Sequence, residues 1–316
     1  MDQSLPTPPL PPTSRPLIKR IFFSSPEPRL RAGWRLLLQQ VLMLALLIGL
    51  VLLAGFLDRQ KLIPGGLMFL VEQSVSLIAI SLSVFLARRL FDRRSFPSLG
   101  LQLDRRALPD ILVGVAIAGL MFVLIYFLEY FLGWVSFGGF AWKTHTPAQV
   151  WSGVLSMLAV FIVVGWQEEL QYRGYTLQNL SEGLNMTWGV VLSSIIFGAM
   201  HLGNPSASWM TVVGITAAGL VLAFAYLTTR QLWLPMGLHL GWNYFEGVVF
   251  GFPVSGLDTF RLITTQTQGP ELMTGGAFGP EAGLILLPGL ALAVTLIYLY
   301  TRGRLAPQPG TPSDQA

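Results

Sequence analysis

Apolar positions dominate the chain in long runs that are separated by short polar stretches. Eight runs predict membrane-spanning helices, since about 20 consecutive apolar residues match the hydrocarbon core of a bilayer. The fourth run exceeds the length of one crossing, so we expect this helix to tilt or to project from the membrane. The runs cover about residues 36–57, 65–87, 110–132, 150–180, 187–205, 208–229, 233–250 and 281–300.

Polar segments flank the apolar runs at both ends of the chain. The sequence opens with MDQSLPTPPLPPTSRP, a composition typical of disorder. We expect a disordered cytoplasmic tail over residues 1–34, a single membrane domain over 35–304 and a second disordered tail over 305–316. The predicted fold class is all-α, a polytopic membrane protein with about eight transmembrane helices around a polar intramembrane cavity.

Composition supports this prediction and excludes other classes. The chain is 53% hydrophobic and 11% charged, whereas soluble domains carry about 25% charged residues. The absence of cysteine from the sequence excludes disulfides, thiolate metal sites and a cysteine nucleophile. The net charge of +4 does not indicate a nucleic-acid partner, because the basic residues lie beside apolar runs, where they orient membrane helices.

The basic residues also predict an orientation. Threading eight helices places most arginines and lysines on one side, in the segments before the first run, between the second and third, and after the sixth and eighth. The opposite side then holds only Arg59, Lys61, Lys143 and Arg261. The positive-inside rule therefore predicts that both termini lie in the cytoplasm.

Ionisable residues end the fourth run, in WQEELQYRGY from Trp166 to Tyr175. Charge at membrane depth is costly and indicates function. Glu169 and Arg173 are spaced i,i+4, so we expect them to face each other as an ion pair. That pairing leaves Glu168, about 100° around the helix, without a nearby cation. A lone carboxylate in an apolar cavity suits a general base.

Two histidines and an amide lie in later runs. His201 follows IIFGAM, and His239 precedes Asn243 by one helical turn. The helical rise puts Glu168 and His201 at a similar depth, roughly 20 Å from the turn that joins their helices. We expect all four groups to meet, with Glu168 taking a proton from water, His201 holding that water, and His239 and Asn243 stabilising an oxyanion. This chemistry is peptide hydrolysis.

These residues resemble the CPBP family of intramembrane proteases, also called the Abi or CAAX protease and bacteriocin-processing family. Its type II CAAX prenyl endopeptidases share the motifs EExxxR, FxxxH and HxxxN, which occur here as Glu168–Glu169–Arg173, Phe197–His201 and His239–Asn243. The resemblance covers residues 150–250. It implies a glutamate-dependent, eight-helix endopeptidase without a catalytic metal, in which Glu169 and Arg173 support the other four. The implied partners are the lipid bilayer and a membrane-anchored protein or peptide substrate, in a bacterial plasma membrane.

Two other functions fit the same residues. Glu168, His201 and His239 are acceptable ligands for Zn²⁺ with an open position for water, which would make the protein a zinc-dependent membrane protease. A non-catalytic immunity or transport protein would instead use the polar cavity for recognition. Nothing in the sequence indicates that a substrate is prenylated.

Three further expectations concern residues outside the motifs. The segment 251–280 is either a cap over the cavity or a simple connector. Glu72 and Glu129 are expected to be paired or interfacial, and a catalytic role for Glu246 is not favoured. Small residues allow helices to approach closely, and we expect this of Gly198, Gly203, Gly214, Gly219, Gly237 and Gly241.

Overall fold

The computed structural model describes residues 21–24, 29–63 and 68–305 of the 316-residue chain. The predicted tails lie largely outside these residues, and the first helix whose bounds the structure describes begins at Ala32. Two π-helical segments interrupt or extend the α-helices: Leu170–Thr176 joins α4 to α5, and Tyr244–Val249 continues α8. The α-helices are α1 (Ala32–Arg59), α2 (Met68–Leu90), α3 (Ala107–Phe131), α4 (Pro147–Glu169), α5 (Leu177–Gly183), α6 (Met186–Met200), α7 (Trp209–Thr229), α8 (Trp233–Asn243), α9 (Glu271–Thr274) and α10 (Leu286–Leu305).

Seven of the described helical segments are long and apolar enough to cross a membrane. This confirms the prediction of an all-α polytopic membrane protein. The predicted eighth span corresponds to α8 and its π segment, which contain 11 and 6 residues. At about 1.5 Å per residue, such a helix is shorter than the roughly 30 Å hydrocarbon core of a bilayer. The predicted count of eight is reached only when this shorter helix is included.

Local capping signals fix the ends of the helices that carry the motifs. Thr146 and Gln149 form a capping box before α4, with Pro147 in its first turn. The turn between α5 and α6 is short. Asn185 caps the beginning of α6, since its side chain accepts a hydrogen bond from the Trp188 backbone amide at 3.0 Å. This tight hairpin holds the end of α4 and the end of α6 at a fixed separation from the turn.

Close contact between α3 and α8 forms the centre of the bundle. A Cβ atom added to Gly237 would overlap the Ile111 backbone, and one at Gly114 would lie 2.5 Å from the Leu238 nitrogen. Gly241 meets α3 in the same way. Glycine thus lets the two backbones touch. Close packing was expected of six glycines; it is found at five of them, and the expectation is wrong for Gly203, which has open space around it.

A buried ionic network ties α1 to α2 and α5. Arg35 Nη1 lies 3.0 Å from Asp92 Oδ1, and Arg88 Nη1 lies 2.9 Å from Asp92 Oδ2. Arg35 Nη2 also contacts Glu182 Oε2 at 2.9 Å. Arg35 and Arg88 belong to the basic segments from which the orientation is predicted, and both are only 2% exposed. They also tie helices together.

Two strands form a small sheet that the sequence analysis did not predict. β1 (Val135–Phe140) pairs antiparallel with β2 (Ile263–Thr267), and Val135 lies opposite Thr267. The pairing fixes the segment after α8 to the connection between α3 and α4. Val254, Ser255 and Thr259 of that segment line the central cavity, so residues 251–280 include a cap and are not only a connector.

We expect Gly237→Ala to destabilise the protein by about 1–3 kcal/mol, because the new methyl group must displace the Ile111 backbone. The measurement is thermal unfolding of purified protein in detergent. Gly49→Ala in α1 is the matched control, since nothing lies within 4 Å of its added Cβ. Equal unfolding midpoints for the two variants would contradict the close contact.

Candidate active site

A chain of buried charged groups lies at the centre of the site. Arg173 Nη1 donates to Glu169 Oε1 at 2.8 Å, which is the ion pair predicted from the i,i+4 spacing. The same oxygen of Glu169 accepts from His239 Nδ1, also at 2.8 Å. Glu169 and Arg173 are 0% and 1% exposed, so neither touches the cavity directly. Glu169, paired with Arg173, fixes the orientation of His239 from the side away from the cavity.

Phe197 joins this charged chain to α6. The Arg173 guanidinium carbon lies 4.3 Å from the centre of the Phe197 ring, a cation–π contact. Arg173 Nη2 donates to the Gly219 carbonyl at 3.2 Å, which adds α7. The Phe197 ring meets His201 and His239 edge to face, at centroid distances of 4.9 and 6.1 Å. The sequence analysis quoted Phe197 as a motif residue without giving it a contact.

Glu168 faces the other way and lines a cavity of about 790 Å³. Its side chain is 24% exposed, and Oε2 lies 3.7 Å from His239 Nε2. That separation exceeds a direct hydrogen bond. Oε2 has no hydrogen-bond partner among the described residues. Oε2 is itself buried, so the cavity reaches this side chain at its other atoms.

His201 presents a defined nitrogen to the same cavity. It follows the last residue of α6 and begins a 3₁₀ turn, His201–Gly203. Nδ1 lies 2.9 Å from the Phe197 carbonyl oxygen, so Nδ1 carries the proton and donates it. In the neutral ring the Nε2 lone pair is then available to accept a hydrogen bond.

Asn243 completes the predicted set on the cavity wall. It lies one turn after His239 on α8, and both residues are 6% exposed. Glu168, His201, His239 and Asn243 all line the same cavity, whereas Glu169 and Arg173 do not. The structure therefore brings together the four groups that the sequence analysis assigned to the reaction, with two supporting groups behind them. Their chemical roles stay predictions.

Both π segments begin directly after motif residues. Leu170–Thr176 follows Glu169, and Tyr244–Val249 follows Asn243. A π segment widens the helix by one residue per turn, a feature often found at functional sites. The sequence predicts a regular α-helix in both regions and gives no indication of these segments, because π hydrogen bonding has no strong compositional signal.

Glu281 is a cavity residue that the sequence analysis missed. It lies in the 3₁₀ turn Pro280–Ala282, before α10, and is 4% exposed. Trp242 Nε1 donates to its Oε1 at 2.9 Å, and Ser255 Oγ donates to its Oε2 at 2.6 Å. Burial raises the pKa of the Glu281 carboxyl, and the hydrogen bonds from Ser255 oppose that rise. The sequence signal that could have identified Glu281 is a lone acidic residue among glycines, directly before an apolar run.

Two other acids are fully buried. Glu129 and Glu246 are both 0% exposed, and neither carboxyl group has a hydrogen-bond partner among the described residues. The expectation that Glu129 is paired is therefore wrong among the described residues, because its position on α3 faces the bundle interior, and an interfacial depth stays a prediction. Glu72, in contrast, is exposed on α2.

The described residues also bear on metal binding. Across residues 21–24, 29–63 and 68–305, no three His, Asp or Glu side chains are grouped so that they could hold a metal ion. Glu168, His201 and His239, the predicted zinc ligands of the alternative, share the cavity without forming such a group.

Comparison with known proteins supports an assignment for the segment that carries this site. Residues 149–245 match a family model, and all the motif residues lie inside the match. The matching family is the Rce1-like type II CAAX prenyl endopeptidases. The resemblance seen in the sequence is thereby confirmed over these residues.

A curated relative gives a second, weaker match. The Bacillus subtilis (strain 168) protein named "Putative membrane peptidase YdiL" is 29% identical to this chain over 137 residues. The alignment covers 43% of this chain and 52% of that relative, so the chain spans about half the length of the relative that it matches. Both matches are to peptidases, and the relative is named as a membrane protein.

We expect Arg173→Met to lower the free energy of unfolding by about 3–5 kcal/mol, because it leaves Glu169 as an uncompensated buried charge. The double variant Glu169→Gln, Arg173→Met removes both charges and should recover part of that loss. Thermal unfolding in detergent measures both, with Arg302→Met at the exposed end of α10 as the control. A double variant less stable than Arg173→Met would contradict the pairing.

Proposed function

We propose that this protein is an intramembrane endopeptidase that hydrolyses a peptide bond in a membrane-associated protein or peptide. The observation that carries the proposal is the position of Glu168. Its carboxylate lines the cavity with Oε2 unpartnered among the described residues, 3.7 Å from His239 Nε2. The match to a type II CAAX prenyl endopeptidase family over this segment supports the same reaction class.

In the first step Glu168 acts on a water molecule in the cavity. The carboxylate takes one proton of the water, while the His201 Nε2 lone pair accepts a hydrogen bond from the other. The water oxygen attacks the carbonyl carbon of the substrate and forms a tetrahedral intermediate. Glu168 then gives its proton to the amide nitrogen as the carbon–nitrogen bond breaks, so the carboxylate is regenerated.

Asn243 and His239 stabilise the negative charge that develops on the carbonyl oxygen. The Asn243 amide donates directly, as an oxyanion site requires. His239 already donates Nδ1–H to Glu169, so it donates from Nε2 only when the ring carries a second proton. Glu168 and Glu169 lie on either side of that ring, so the charge of the imidazolium is offset by Glu168 before the proton transfer and by the oxyanion after it.

Glu169 and Arg173 are positioning residues in this proposal. Glu169 fixes the orientation of His239, and Arg173 neutralises the Glu169 carboxylate. Neither lines the cavity, so neither is placed to touch a substrate. No cofactor is required, and the substrate partner is anchored in, or associated with, the lipid bilayer.

The proposed setting is a bacterial plasma membrane with both termini in the cytoplasm. Support comes from the distribution of arginine and lysine along the sequence, counted with α8 as a crossing. Cleavage inside the membrane is favoured by the position of the site, since Glu168 lies in one of the segments able to span a bilayer, Pro147–Gly183.

We expect Glu168→Gln to reduce kcat by at least about 10²-fold with little change in stability, because the variant keeps the shape of the side chain and loses the base. The assay is cleavage of a membrane-anchored peptide library by purified, detergent-solubilised protein. The matched control is Gln149→Glu, which makes the reverse exchange of glutamine for glutamate at the exposed first turn of α4. Full cleavage by Glu168→Gln would contradict the role of Glu168 as the base, whereas full biological function in a variant that does not cleave would favour a binding protein.

Metal dependence separates the proposed mechanism from the zinc alternative. We expect cleavage to persist in excess chelator and His201→Ala to reduce it, since His201 then acts on water and not on a metal. Metal content of the purified protein is measured in parallel. Zinc at about one ion per chain, together with loss of cleavage in chelator, would move the site to zinc chemistry.

A further inference from the structure

The catalytic cavity has a second limb, away from the imidazoles, between α1, α2 and α4. Its polar lining there is uncharged and includes three amides, Gln40 on α1, Gln73 on α2 and Gln167 on α4, beside Ser76, Gln171 and Thr176. Gln167 precedes Glu168 directly, so the amides continue from the proposed base. Amide groups at membrane depth carry a desolvation cost unless they are hydrogen-bonded. Their presence on a cavity wall therefore calls for a partner.

Hydrogen bonds hold these amides in place but do not use all their capacity. Gln40 Nε2 donates to Gln39 Oε1 at 2.8 Å, which leaves the Gln40 oxygen without a partner among the described residues. Ser76 Oγ donates to Gln167 Oε1 at 3.1 Å, which leaves Gln167 Nε2 without a partner among the described residues. The Gln73 side chain makes no hydrogen bond to any described residue. Two acceptors and two donor groups thus remain for a ligand.

A reciprocal amide pair, of which Gln171 also lines the cavity, makes this limb rigid. Gln39 Nε2 donates to Gln171 Oε1 at 2.9 Å, and Gln171 Nε2 donates back to Gln39 Oε1 at 3.2 Å. Gln39 and Gln171 are 0% and 4% exposed. This reciprocal contact fixes α1 against the π segment after α4, so Gln40 and Gln167 are held at a set spacing.

A substrate of the proposed reaction has a matching need. A helical segment must unwind to expose its scissile bond to Glu168. Unwinding frees backbone N–H and C=O groups, which cost several kcal/mol each in a bilayer unless something binds them. A glutamine side chain carries the same donor and acceptor as a peptide group.

We propose that Gln40, Gln73 and Gln167 form a subsite that binds the unwound main chain of the substrate beside the scissile bond. The subsite recognises peptide groups and not side chains or a lipid chain, so it contributes affinity without sequence preference. The inference rests on the proposed function, because it names how a peptide lies in the same cavity.

The test measures binding and does not depend on cleavage. The protein is the full chain with Glu168→Ala, in phospholipid nanodiscs, and the probe is the library peptide that this protein binds most tightly. Each peptide bond is replaced in turn by an ester, which removes one N–H donor. We expect at least one ester to weaken Kd by roughly 2- to 12-fold, the effect of one hydrogen bond.

The deciding comparison adds Gln73→Leu or Gln40→Leu to the same protein. In at least one of these variants the sensitive ester should no longer change Kd, because its partner oxygen is gone. Gln268→Leu, exposed at the end of β2, is the control and should leave the ester effect intact. Ester effects that persist in both cavity variants, the absence of any ester effect, or the absence of measurable binding would overturn the inference. Loss of cleavage in Glu168→Gln tests the proposed function separately.

Discussion

The contact between Arg173, Glu169 and His239 is the interaction on which the rest of the site depends. Each charged group is costly to bury alone, and the three are stable only together. The contact also reaches four helices, because Phe197 of α6 and the Gly219 carbonyl of α7 complete the surroundings of Arg173. Segments far apart in sequence are thereby held in one register. The positions of the groups that line the cavity therefore depend on the buried contact between Arg173, Glu169 and His239.

The cavity divides its chemistry between two walls. Charged and ionisable groups lie on one wall, where Glu168 and His239 approach each other to 3.7 Å. The other wall carries neutral amides and apolar side chains. Such a division suits a reaction in a membrane, because charge is confined to the place where charge develops. Elsewhere, neutral amides hydrogen-bond a polymer backbone with a smaller desolvation cost than charged groups incur.

The membrane makes the helices predictable from sequence alone. The run predicted over 208–229 appears as Trp209–Thr229, because a bilayer requires the backbone to satisfy its own hydrogen bonds. Local spacing likewise predicted the contact between Glu169 and Arg173. The bond from Glu169 to His239 spans 70 residues and depends on how α4 and α8 rotate against each other. Local sequence patterns do not predict how two helices rotate against each other, so this bond could not be predicted.

The features that escaped prediction share this non-local origin or lack a compositional signal. β2 contains ITTQT, whose exposed residues need β1 as a partner before they form a strand. Glu281 reaches the cavity only because Trp242 and Ser255 fold over it. The buried state of Glu129 depends on which face α3 turns toward its neighbours. These properties belong to the assembled bundle and not to any one segment.

The glycine contact between α3 and α8 also determines where the molecule is able to deform. The α3 and α8 backbones touch at Gly114 and Gly237, so α8, which bears His239 and Asn243, has no space to move toward α3. The first helix is the opposite case, since none of its most apolar stretch is buried inside the protein. The buried contacts of Arg35 and Gln39 fix the beginning of α1, so a movement that admits a bulky substrate is confined to the rest of that helix.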